Sequence, residues 1–232
     1  MTLGVIAGSA LRDSAFAGAG HRVVHGGVAM LDVDGTLVLQ RHGLDTWSPP
    51  HRIDHRAHVA ALLGAGVDRV LALSSVGSLR TDWPVGTVVL ADDCYAPNET
   101  PSYHDDPRSH AVPGFDPQWR ATVRDTWAGA TGTPLVDGGV YAQSRGPRFE
   151  TPAEVRALTR VADLVGMTVA SECILTSEVG LPYAAVCVVD NLANGLDTEP
   201  LTMQQFAAAV AANQAALLAD LEQVLPVLGA TE

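Results

Sequence analysis

Lysine is absent from this chain: all 14 basic residues are arginine, set against 26 acidic ones, for a formal net charge of −12. A field of that sign repels a nucleic-acid backbone or an anionic membrane, so neither is expected as a partner. A small anion stays compatible, because a pocket needs local donors rather than a positive whole. Cysteine is scarce as well. Cys94, Cys173 and Cys187 are an odd number without metal-ligand spacing, which argues against a disulfide framework or a metal site. They read as small buried hydrophobes. No run approaches the roughly 20 apolar residues of a membrane span. The opening MTLGVIAGSAL lacks a basic stretch followed by a cleavage site, so a cytoplasmic location is expected. There is no linker, repeat or low-complexity tract. What is present is 47% hydrophobic residues over 232 positions, enough for one domain spanning residues 1–232.

Short apolar runs alternate with helical patterns. Strands are expected at Leu3–Ile6, Val28–Val33, Thr36–Leu39, Arg69–Leu73, Thr87–Asp92, Val136–Gln143 and Tyr183–Val189. Helices are expected at His55–Gly64, Trp119–Trp127, Pro152–Arg160 (capped by Thr151), Ser171–Val179 and Leu201–Leu228, the last ended by Pro226. Residues 93–118, rich in Pro, Asp, His and Ser, read as a long ordered loop. The alternation predicts an α/β fold with a mixed, mostly parallel central sheet flanked by helices. Ligands in such folds gather at the carboxyl ends of strands.

Several polar clusters follow apolar runs. Gly8-Ser9-Ala10 can let an anion approach the backbone, with Ser9 as a donor, or it can be a plain turn. It is neither GxGxxG nor a P-loop, which disfavours a Rossmann dehydrogenase. Arg41-His42 offers a guanidinium fork and an imidazole to a phosphate, or is an ordinary surface pair. Ser74-Ser75-Val76-Gly77-Ser78 can cradle phosphate or ribose oxygens, or simply turn the chain. In Gly146-Pro147-Arg148-Phe149-Glu150, Phe149 supplies a face on which a heterocycle can stack and Glu150 an acceptor beside it. Glu150 can equally be a first-turn acid of the next helix. Met167-Thr168 offers an apolar wall and a hydroxyl, and Glu172 an acceptor for ribose hydroxyls; as core filler and a solvated helix residue they would do neither. Asp190-Asn191 ends the strongest strand, where Asn191 can both donate and accept.

Together these segments resemble the trimeric branch of the purine nucleoside phosphorylase and methylthioadenosine phosphorylase family, from Gly4 to about Leu218. GVIAGSAL, RHG, SSVGSL, GVYAQSRGPRFET, VGMTVASE and VVDNLANG appear in the family's order. The resemblance implies that Ser9, Arg41, His42, Ser75 and Thr168 bind phosphate, that Met167 packs on the ribose with Glu172 nearby, and that Phe149 and Glu150 hold the purine. It also implies that Asn191 meets O6 and N7. The implied reaction needs no metal or organic cofactor, inorganic phosphate being the co-substrate, and the implied assembly is a homotrimer.

Glu150 can accept from N1–H of a 6-oxopurine while Asn191 donates to O6. If the register slipped by one residue, Asp190 would face the base instead and adenine would return. The stretch Leu201 to Phe206 has no His for a 5′ hydroxyl. Leu201 and Met203 suit a 5′-methylthio group, which points to 5′-methylthioinosine, with inosine and guanosine as further candidates. Tyr103, His104 or His110 on the long loop are candidates to reach a neighbouring subunit's site, His110 as a substrate contact. Ala10 and Ser171 stand where the family has Gly and Pro. A methylthioadenosine phosphorylase, a hydrolytic nucleosidase and a non-catalytic nucleoside-binding relative are the rival readings.

Overall fold

The computed structural model describes residues 2–11, 20–197 and 202–230. Its strands are β1 (Leu3–Ala7), β2 (His21–His25), β3 (Val28–Val33), β4 (Thr36–Gln40), β5 (Arg69–Ser78), β6 (Val88–Leu90), β7 (Asp93–Tyr95), β8 (Leu135–Asp137), β9 (Val140–Gln143), β10 (Leu164–Gly166) and β11 (Tyr183–Leu192). The α-helices among the described residues are α1 (His55–Gly64), α2 (Pro117–Ala130), α3 (Pro152–Leu158), α4 (Val169–Glu178) and α5 (Met203–Ala230).

All of these strands join one mixed sheet. β4, β1, β5 and β11 run parallel and form its centre. β10 pairs antiparallel with β5 and parallel with β9, which leads on to β7. The β2–β3–β4 meander is antiparallel, β6 lies antiparallel to β11, and β8 follows β6 in parallel.

Both faces of the central strands are apolar, as a mostly parallel sheet covered on two sides requires. Along β11, Ala184, Val186 and Val188 join one core cluster with α2 and α5, while Ala185, Cys187 and Val189 join the other with α1 and α4. This is the two-residue alternation of a strand. Helix α5 answers with Leu217, Leu221, Val224 and Leu228 on one stripe. Helix α3 opens on a complete capping box: Thr151 accepts from the Glu154 amide and Glu154 accepts from the Thr151 amide.

Several expected boundaries move. β5 does not end at Leu73 but runs through the serines to Ser78, because its backbone pairs with β11 and β10 over that whole length. The expected strand 136–143 is two strands, divided at Gly138-Gly139, both with positive φ. Pro226 lies inside α5 and does not end it; Leu225 and Leu228, buried in the core, hold the last turn in place. The stretch 93–118 contains β7 and a 3-10 turn, Pro107–Ser109. β2 and β10 were not expected from the sequence.

Candidate active site

A cavity of about 200 Å³ opens where the long strand β5 meets β1, β4, β10 and β11. One side is polar. Ser9 follows β1, and Arg41 and His42 follow β4; Ser74 lies within β5, and Thr168 stands at the start of α4. The other side carries Phe149, Glu150, Met167 and Asn191, closed by Met203 and Phe206 from the first turn of α5. Only part of this set sits beyond strand ends. Ser74, Ser75 and Gly77 lie inside β5 and Asn191 inside β11, because β5 is extended to Ser78 by pairing with β11 and, at Gly77 and Ser78, with antiparallel β10.

Arg41 is buried and held on three sides. Its Nε and Nη2 donate to Oε1 and Oε2 of Glu172 at 2.7 and 2.9 Å, and Nη1 donates to the Leu73 carbonyl at 2.9 Å. Tyr183 donates its hydroxyl to Glu172 Oε2 at 2.7 Å. Burial opposes the charge on Arg41 and on Glu172, yet their mutual attraction prevails, holding the guanidinium above and the carboxyl below its ordinary value. Glu172 is therefore not a ribose acceptor: it is fully buried, both oxygens are engaged, and it lies outside the cavity wall. Gly8 belongs to this arrangement too. A Cβ there would stand 2.7 Å from Arg41 Nη1 and 2.8 Å from the Leu73 carbonyl, so this glycine makes room for the guanidinium.

His42 stacks on Trp47, ring centroids 6.1 Å apart. Its Nδ1 lies 2.9 Å from the Ser48 carbonyl. A carbonyl only accepts, so Nδ1 carries the hydrogen in this contact. Thr168 caps α4 without a side-chain capping bond; Tyr141 and Gln143 engage that helix's first amides. Ser171 and Gln143 form a reciprocal pair, Gln143 Nε2 donating to Ser171 Oγ at 2.6 Å. Beside the Arg41–Glu172 pair, burial pushes His55 down to about 4, against the pull of Glu172.

Ser75 lines the cavity, but its Oγ is buried without a hydrogen bond and faces Asp190. Only its main chain is left to meet a ligand. On the apolar side, Phe149 meets Phe206 edge to face at 5.7 Å. Glu150 is nearly buried, takes a hydrogen bond from Ser144 Oγ, and its carbonyl accepts from Asn194 at 3.0 Å.

The choice between Asp190 and Asn191 is made by a bulge. β11 and β5 stay in register up to Val189 opposite Val76, and then Asn191 is opposite Gly77. The extra residue is Asp190. Asn191 lines the cavity; Asp190 points to the α5 side, where Asn213 donates to its Oδ1 at 2.7 Å. Asp190 is thus not a wall of this cavity. His110 is exposed and away from it, and Tyr103 donates to the Arg56 carbonyl of its own chain. Leu201 lies outside the described residues. Sequence reasoning missed Trp47 and Phe206 as cavity walls, and Tyr183 as the partner of Glu172. Trp47, five residues past His42 in a proline-rich loop, and Phe206, at the start of the last helix, were the available signals.

The chain matches the Phosphorylase superfamily over residues 11–225. It is 37% identical over 185 residues to an Archaeoglobus fulgidus protein named "Probable 6-oxopurine nucleoside phosphorylase", covering 78% of this chain and 76% of that one. It is 36% identical over 185 residues to a Methanosarcina acetivorans protein named "Probable S-methyl-5'-thioinosine phosphorylase", covering 78% and 70%. Among solved structures, methylthioadenosine phosphorylase from Schistosoma mansoni in complex with adenine has the same fold: TM-score 0.82, 23% identity, covering 100% of this chain and 93% of that one.

Proposed function

The chain belongs to the Phosphorylase superfamily, and we propose that it is a purine nucleoside phosphorylase that cleaves the N-glycosidic bond of a 6-oxopurine nucleoside with inorganic phosphate. The observation that carries this reading is one cavity with two chemically distinct halves. Arg41, Ser9 and Thr168 face a small anion, while Phe149, Glu150 and Asn191 face a flat heterocycle. The sugar fits between them, against Met167.

The reaction needs no protein nucleophile. A phosphate oxygen forms the new bond to the anomeric carbon as the bond from that carbon to N9 breaks, and the departing electron pair spreads into the purine. Asn191 is suited to stabilise that charge, its amide meeting O6 and N7, and Glu150 accepts from N1–H. Catalysis then rests on positioning and on fixed dipoles rather than on a metal or organic cofactor.

Asn191, not Asp190, lines the cavity, and this supports a 6-oxopurine over adenine. Met203 and Phe206 support an apolar 5′ substituent, so 5′-methylthioinosine is the favoured nucleoside, ahead of inosine and guanosine. The products are free purine and the ribose 1-phosphate, carrying 5-methylthio where the substrate did. We further propose a homotrimer acting in the cytoplasm in purine salvage. The described residues contain no helix long and apolar enough to cross a membrane.

The test is base release from 5′-methylthioinosine, inosine, guanosine and 5′-methylthioadenosine, each with and without phosphate. Phosphate-dependent hypoxanthine release, fastest from the methylthio nucleoside, is expected. Preferential adenine release would reject the Asn191 argument, and equal release without phosphate would reject phosphorolysis.

A further inference from the structure

Asp190 is a buried carboxylate that the proposed reaction does not use. It is 2% exposed. Oδ1 accepts from Asn213 Nδ2 at 2.7 Å, and the same nitrogen donates to the Val189 carbonyl at 3.2 Å. Oδ2 and Ser75 Oγ are both buried and lie beside each other, their only polar company being a contact too loose for a well-formed hydrogen bond. Among the described residues no ion pair reaches this carboxylate. Burying an acid with a single well-formed hydrogen bond is costly, so the Asn213 bond carries much of what holds this carboxylate in place.

The role follows from where Asn213 stands. The core-facing stripe of α5 runs from half-buried Val210 through buried Leu217, Leu221 and Val224. Asn213, half-buried, falls in that stripe four residues before Leu217. Phe206 lies seven residues earlier, two turns up the same face of the helix. Phe206 is a wall of the cavity and meets Phe149 edge to face. Both hydrogens on Asn213 Nδ2 are directed at the bulge of β11, one to Asp190 and one to Val189. An apolar stripe alone tolerates small slides and rotations of a helix. Two directional bonds at one point do not.

We propose that Asp190 and Asn213 form a clamp that seats α5 against the β11 bulge, and that this clamp sets how Phe206 and Met203 fit the 5′ end of the nucleoside. The clamp makes Asp190 and Asn213 positioning residues that determine specificity without touching substrate. It rests on the nucleoside phosphorylase reading, in which phosphate binds on the Arg41 side of the cavity and the 5′ end of the nucleoside lies against Met203 and Phe206.

The experiment uses full-length wild type, Asn213→Asp, and the double exchange Asp190→Asn with Asn213→Asp. Asn213→Asp sets two carboxylates against each other. The double exchange restores a donor and an acceptor with their positions swapped. Steady-state constants are measured for 5′-methylthioinosine at saturating phosphate and for phosphate at saturating nucleoside, with thermal melting of each variant. Asn213→Asp is expected to raise the nucleoside KM about tenfold, the scale of one broken buried hydrogen bond. The phosphate KM moves far less, and the double exchange, which regains the bond between positions 190 and 213 but not the one to the Val189 carbonyl, recovers part of the loss. Equal rises in both constants, or no recovery in a double exchange that melts cooperatively, would overturn the clamp. If wild type releases no purine with phosphate, the function reading falls instead. The clamp is then read in melting temperature alone, lowered in Asn213→Asp and partly restored by the exchange if it exists, and unrestored if it does not.

Discussion

Glu172 grips Arg41 with both carboxylate oxygens, at 2.7 and 2.9 Å, across 131 residues of sequence, with Glu172 wholly buried and Arg41 exposed only at the cavity. This pair turns a flexible arginine into a fixed part of the cavity wall. The guanidinium has five N–H groups, and three are committed to Glu172 and Leu73. What remains for a phosphate is presented without a search over rotamers, which is the form of preorganisation that favours anion stabilisation.

Glu172→Gln keeps the shape and removes the charge. Breaking one partner of a buried ion pair costs roughly 3–5 kcal/mol, so the variant should unfold at clearly lower urea and show a raised phosphate KM. Stability and phosphate KM both matching wild type would show that the pair holds nothing in place.

His55 gives a pH dependence with a definite sign. Burial holds it neutral in the fold down to about 4, against an ordinary value of 6.5. Between those values the unfolded chain binds a proton that the folded chain refuses, so stability falls as pH drops through that window, by up to about 1.4 kcal/mol per pH unit. Glu172, held below its ordinary 4.5, contributes stability above that value and loses it as pH falls through its own folded value. His55→Gln should flatten the upper part of the acid decline and leave the Glu172 part. Urea unfolding at a series of pH values reads this directly; an unaltered slope above pH 4.5 would sink it.

Gly77 is where β5 passes Asn191. A Cβ there would stand 3.1 Å from Asn191 Nδ2 and 3.2 Å from Val165 Cγ1. Gly77→Ala should therefore displace the amide while the strand survives. Misplacement of a reacting contact is costly, and kcat for base release should fall about tenfold or more, while phosphate KM changes little. Wild-type kcat in a folded Gly77→Ala protein would mean that the Asn191 amide is not needed where it stands.

Much of the fold was legible because its signals are local. The seven apolar residues from Tyr183, the helical spacing of His55–Gly64 and the Thr151 cap each depend on neighbours a few positions away. Local signals failed where pairing overrode composition. Ser74 to Ser78 reads as a turn, yet β11 and β10 recruit it into a strand. β10 has three residues, too few for a period, and Pro226 sits in a helix that the core holds past it.

Residue order alone supplied the inventory: an alternating α/β chain without lysine, an arginine and a histidine after one strand, a Phe-Glu pair, and an Asp-Asn pair at the end of the most apolar strand. Tertiary structure decided the roles. A one-residue bulge, invisible in composition, turned Asn191 to the cavity and Asp190 to Asn213. The pairing of Glu172 with Arg41 turned an apparent sugar acceptor into a support. Side-chain direction depends on strand register and on partners far away in sequence, and neither is encoded by a residue's immediate neighbours.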